Sequence, residues 1–210
     1  MNNTELHTQL HRCMTEPLNG SNLRTVFLLL ARAHFSSAKN YGYLEPQLSC
    51  AVWDADPFKA SLAVELSQEY ERAKNQNTPA VYVGFDQPFS FKKIDLSDNT
   101  EDHADNSGRV MGVLTTATLS IIHVAPTMDQ ALLLADSSTS FFLGTRDSVA
   151  SRLNLIAFDP ISISPPAMID KGPERNFRVD ATFGLTFNYV INANIESHRL
   201  KKFAMEFAGK

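Results

Sequence analysis

Cysteine is scarce in this chain of 210 residues, with Cys13 and Cys50 the only two. They stand far apart and form no CxxC pair, which argues against a disulfide scaffold, a zinc knuckle or a dithiol redox site. The pattern fits a reducing site of synthesis with both thiols free. Glycine is also sparse, and its nine residues are scattered. Neither GxGxxG nor GxxxxGK[ST] occurs, so no glycine-rich turn wraps a pyrophosphate, and no nucleotide cofactor is expected. Long apolar runs are missing. The best candidate, Val26 to Ala31, falls far short of the roughly 20 residues that span a bilayer. Met1-Asn2-Asn3-Thr4-Glu5-Leu6-His7 has no basic stretch leading into an apolar one, so neither a secretory signal nor a membrane partner is expected. Excess positive charge is absent too. The net charge of −4 argues against sequence-specific nucleic acid as the main partner.

What is present reads as a single α+β domain over residues 1–210, with a mixed, mainly antiparallel sheet flanked by helices. Residues 1–75 read as a helical N-terminal third, 76–195 as a sheet with one main helix, and 196–210 as a C-terminal arm. Leu6, Leu10 and Met14 give a narrow helical stripe. A second helix from Leu23 to Ser37 is apolar nearly all round and needs neighbours on several sides, which favours one domain over two. Pro57, with Asp56 before it, suits the first turn of a third helix over 58–74, its apolar face made by Leu62, Leu66, Tyr70 and Ala73. Strands are expected at Ala80–Phe85, near Phe89, Phe91 and Ile94, and over Val110–Val124. The acidic stretch 95–108 reads as an exposed loop. Thr127 is placed to cap a helix through Phe142, with Gln130 at the capping-box position, and Gly144 marks its end or a kink. A short helical piece to Leu153, a strand over Leu155–Ile163 and a polar turn over 167–175 follow. Phe177, Val179, Ala181, Phe183, Leu185, Phe187, Tyr189 and Ile191 then share one parity of a long strand, and polar residues share the other.

Motifs for catalysis are weak. His7 and His11 have i, i+4 ligand spacing, but two ligands do not close a metal site. Glu101, Asp102, His103 and Asp105 lack EF-hand spacing and read as a solvated acidic loop. No GxSxG elbow occurs. His123 lies in an apolar strand and is read as buried and hydrogen-bonded rather than as a base. Asp54 and Asp56 are read as turn and cap residues. Arg178 and Asp180 share the polar parity of the last strand, which suggests a same-face ion pair or a protein interface.

The order of elements over roughly 110–207 resembles the tail-terminator and tail-completion proteins of the neck in tailed bacteriophages. The resemblance is carried by Leu119-Ser120-Ile121-Ile122-His123-Val124-Ala125, then by Met128-Asp129-Gln130-Ala131 and Phe141-Phe142-Leu143. Ile161-Ser162-Ile163-Ser164-Pro165-Pro166, Phe177-Arg178-Val179-Asp180-Ala181-Thr182-Phe183 and a polar-aromatic tail complete it. The helical N-terminus departs from that pattern. The resemblance implies a virion protein assembled in the host cytoplasm, forming a ring, commonly a hexamer, with tail-tube and neck proteins as partners. It implies no catalytic residues and no cofactor. Contact regions are then expected in the acidic loop (Asp98, Glu101, Asp102, Asp105), at Arg178 and Asp180, and in the arm (Arg199, Lys201, Lys202, Phe203, Phe207). Two other readings compete: an enzyme of unknown class using Cys50 or the His123 region, and a small-molecule or peptide binding module built on the aromatic loop 41–58.

Overall fold

The computed structural model describes residues 3–15, 20–37, 48, 51–69, 79–85, 89–91, 100–101, 110–171 and 174–192. The chain is α+β, with helices packed on a mixed sheet of eight strands. Helix α1 (Asn3–Thr15) packs on α2 (Gly20–Phe35), with Leu6 buried in the contact. Asn22 near the start of α2 donates from Nδ2 to the Cys13 carbonyl at 2.8 Å and so ties the two helices together. Leu23, Val26, Phe27, Leu29, Ala31 and Phe35 of α2 are all essentially inaccessible, as an all-round apolar helix requires.

Over its described part, 58–69, the helix expected over 58–74 does not form. Its start signal is used for one turn only: Asp56 Oδ1 accepts from Phe58 N, and the Asp56 carbonyl accepts from Lys59 N and Ala60 N. Strand β1 (Ala63–Leu66) and a 3-10 turn (Ser67–Glu69) follow. Leu62 and Val64 are buried, while Ala63 and Glu65 are not. A spacing of four between Leu62 and Leu66 satisfies a period of two as well as a helix, and pairing with a neighbouring strand decides between them. Tyr70 and Ala73 lie outside the described residues.

That neighbour is β2 (Ala80–Phe85), which runs parallel to β1. Every other pairing is antiparallel. The central strand β5 (Val110–Ala125) pairs along one edge with β2, β3 (Ser90–Phe91) and β4 (Thr100–Glu101). Its other edge pairs with β8 (Glu174–Asn192) from Val110↔Asn192 to Ala125↔Phe177. The far edge of β8 carries β6 (Leu155–Ile163) and then β7 (Ala167–Lys171). Strand order is β1-β2-β5-β8-β6. Two loop assignments are corrected here. Thr100–Glu101 lies inside the expected acidic loop yet pairs with Met111 and Val110. Residues 167–171 are a strand rather than a polar turn, because the strongly specified β8 templates them through its backbone.

Helix α3 (Met128–Arg152) starts where the capping signal places it, with Thr127 Oγ1 accepting from Gln130 N at 3.2 Å. It runs straight through Gly144, around which there is open space. The stop comes at Asn154, the one described non-glycine residue with positive φ (49°), just after the Leu153 cap. Together α2 and α3 cover one face of the sheet. At the junction Phe27 lies 5.4 Å from Phe158, Phe142 lies 5.7 Å from Phe183, and Phe158 lies 5.5 Å from Phe183, all tilted ring pairs. Val179, Ala181, Phe183, Leu185 and Phe187 supply the β8 side of this core, as the alternation requires.

Candidate interaction surface

The opposite face of the sheet has no helix over it among the described residues. Near β2 it is still closed. Tyr82, Ile122 and Ala80 form a small buried patch, and the 3-10 turn puts Ser67 directly on Gly84. Towards β8 and β6 it becomes polar and open. The Arg178 guanidinium grips Asp180 through two hydrogen bonds, Nε to Oδ1 and Nη2 to Oδ2, both 2.7 Å. About a third of each side chain is accessible, so the pair sits at the surface of the sheet rather than inside it. Ser162 and Thr182 hydroxyls meet at 2.9 Å. Ser164 Oγ accepts from Asp180 N at 2.9 Å, and Ser164 N donates to the Asp180 carbonyl at 2.8 Å, which holds the join between β6 and β7 against β8. Between these strands lies a shallow groove of about 310 Å³, lined by Thr116, Thr118, Asp159, Ile161 and Gly184 among others. Ile161 leans over Gly184, where a side chain would narrow the groove.

The two ends of the sheet differ. At the β1 end, Arg32 Nε donates to the Val64 carbonyl at 3.0 Å and occupies the edge. At the other end β6 is outermost among the described residues. Ile156 and Ile161 are 60% exposed, Met168 on β7 is 55% and Ile163 is 45%. Isolated exposed apolar side chains are ordinary, and here they are divided between the two faces: Ile161 leans over Gly184 on the open face, whereas Ile163 pairs with Ala181 and Met168 with Phe177 on the helix side, so the exposed patch runs along the rim of the sheet. The backbone of that edge is broken up. Register shifts fall between Leu155 and Ala157 and between Pro160 and Ser162, and Pro160 has no N–H to offer. Such irregularity discourages indefinite strand addition. The patch therefore offers side chains to a partner more than it offers a ladder.

Of the residues singled out in the sequence, Arg178 and Asp180 come together on this face, and Glu101 stands in β4 opposite Val110. Asp98, Asp102, Asp105, Arg199, Lys201, Lys202, Phe203 and Phe207 lie outside the described residues, as does Cys50. The apolar edge was not singled out. Its signal is present in the exposed isoleucines of Ile161-Ser162-Ile163 beside Pro165-Pro166, although the register shift at Ile161 puts the two isoleucines on different faces.

Among the described residues two histidines are buried, and both bond to neighbouring serines of α3. His123 on β5 is fully inaccessible; Nδ1 lies 3.1 Å from the Val179 carbonyl and Nε2 lies 2.6 Å from Ser138 Oγ. A carbonyl only accepts, so Nδ1 carries the proton of the neutral ring, and the Ser138 hydroxyl lies between two acceptors, Nε2 and the Ala135 carbonyl at 3.1 Å. His34 on α2 places Nε2 3.0 Å from Ser137 Oγ and stacks on Phe141 at 4.5 Å. Burial pushes both imidazoles down to about 4. Each ring ties α3 to a neighbouring element. Among the described residues no three His, Cys, Asp or Glu side chains cluster to hold a metal ion, and no helix is long and apolar enough to cross a membrane. No protein-family model matches the chain, and no curated protein matches it.

Proposed function

We propose that this protein is a structural subunit that assembles with copies of itself into a ring, of the kind found at the neck or tail end of a tailed bacteriophage. Tail-tube and neck proteins are its partners in that reading. The observation that carries it is the β6–β7 edge, where Ile156, Ile161, Ile163 and Met168 are open along the rim of the sheet, Ile161 on the polar face of Arg178 and Asp180 and Ile163 and Met168 on the other. A ring needs two different surfaces on each copy, and an asymmetric sheet supplies them: a braced β1 end and an apolar β6 end. An apolar centre with a polar rim is the usual composition of such a contact. Completing the burial of each exposed isoleucine contributes about 1–2 kcal/mol to such a contact. The resemblance over 110–207 supplies the virion setting. The test is the mass in solution of the wild type against Ile161→Asp. The proposal expects a multimer that the aspartate disperses without loss of helix or sheet content. An unchanged multimer removes this edge from the contact.

A further inference from the structure

A second feature lies at the braced end of the sheet and does not depend on the assembly reading. Residues 52–61 form a compact loop closed at its neck: Ser61 N donates to the Val52 carbonyl at 2.9 Å, and Val52 N donates to Ser61 Oγ at 3.0 Å. Inside it, Asp54 Oδ1 accepts from Asp56 N at 2.8 Å. Trp53 N donates to the Phe35 carbonyl at 2.8 Å, which fixes the indole against the end of α2. The Arg32 guanidinium lies 5.2 Å from the centre of that ring. Beside this stacked pair lies an open cleft of about 530 Å³, lined by Trp53, Pro57, Ala60 and Leu62 and by the charged Arg32, Asp54 and Glu65.

Arg32 is the unusual member. Its Nε is spent on the Val64 carbonyl, and no other hydrogen bond and no carboxylate within 4 Å serves it among the described residues. Burial lowers its pKa and the Glu65 carboxylate partly restores it, so the charge is partly desolvated without a direct ion pair. A guanidinium fixed in this way presents its remaining donors as a planar fork suited to a carboxylate. Asp54 and Glu65 on the same walls disfavour a simple anion and favour a cationic group close to that carboxylate. The cleft has the size of a small-molecule site, with a lining that mixes apolar and charged side chains.

We propose that this cleft binds a zwitterionic ligand of amino-acid size with a large apolar side chain. Its carboxylate pairs with Arg32, its ammonium group faces Glu65 and Asp54, and its side chain rests on Trp53. Trp53 is the only tryptophan in the chain, so its emission reports the site alone. The experiment titrates L-phenylalanine, N-acetyl-L-phenylalanine and L-phenylalaninamide into the full chain, with excitation selective for tryptophan. The expected result is a saturable change with phenylalanine and binding at least tenfold weaker for the acetyl and amide forms. Arg32→Gln should weaken phenylalanine binding at least tenfold, and Glu65→Gln should bring the acetyl form closer to phenylalanine. Since Arg32 also braces β1, each variant is checked by its melting temperature, and Glu65→Gln carries the test if Arg32→Gln does not fold. No saturable change, equal binding of all three probes, or unchanged binding in a folded Arg32→Gln overturns the proposal. Loss of the multimer in Ile161→Asp would leave this outcome untouched, so the two readings fail separately.

Discussion

His123 of β5 and Ser138 of α3 meet 2.6 Å apart, Nε2 to Oγ, in the interior of the protein. One residue earlier on the same helix, Ser137 holds His34 of α2. Adjacent helical positions point roughly 100° apart, so consecutive serines fasten α3 to the sheet and to α2 at once. The polar face of Arg178 and Asp180 lies on the other side of that sheet.

Stability should therefore fall in mild acid. Both imidazoles are held at about 4 by burial, against about 6.5 in an unfolded chain. Between those values the unfolded chain binds more protons, so stability rises with pH. The contribution is complete above about pH 6.5 and is lost as pH falls towards 4, by about 3 kcal/mol for each histidine at the low end. Urea midpoints measured from pH 7.5 to 4.5 should drop steadily, and the drop should shrink in His34→Gln. A flat profile would mean the rings are not buried as neutral groups.

Ser138→Ala leaves His123 Nε2 without its hydroxyl partner in a sealed core, at a cost of about 1–3 kcal/mol. Ser137→Ala should cost less, because His34 is also stabilised by Phe141 and Phe35. Equilibrium unfolding of the two variants gives the order directly, and a reversed order would contradict the account of the core.

Ser120 presents the opposite case. It is fully buried, and its Oγ has no hydrogen-bond partner among the described residues. Ser120→Ala removes an unsatisfied hydroxyl and should be neutral or stabilising by up to about 1 kcal/mol. A clear loss in melting temperature would reveal a partner that this packing does not contain.

Gly144 lies in the middle of α3 with open space where a side chain would go. Gly144→Ala should stabilise the protein by about 0.5–1 kcal/mol, read as a higher melting temperature. Gly84→Ala should do the reverse, since the new Cβ would collide with Ser67, whose Cβ lies only 2.6 Å away.

Much of this fold is legible in the sequence where one signal dominates. The period-two alternation of β8, the Thr127 cap and the all-round apolar α2 each had one physical solution. Signals failed where two solutions shared them. Leu62 and Leu66 fit both a helix and a strand, and only the presence of β2 selects the strand. Gly144 reads as a stop because glycine commonly ends helices, but the helix runs on to the Leu153 cap, and Asn154 just after it takes the left-handed backbone. Strand β7 carries little signal of its own, since β8 imposes its pairing. In the candidate surface, Arg178 and Asp180 were visible from their shared parity. The apolar edge was not, because burial in a strand depends on what lies beside it in space.

The most direct test of the assembly reading is the mass of the purified full chain by light scattering over a wide concentration range, with negative-stain images of the same sample. The account predicts a closed multimer, a ring of about six copies if the phage-neck resemblance holds, and its dispersal by Ile161→Asp. A single monomeric mass at every concentration, unchanged by that substitution, would contradict it.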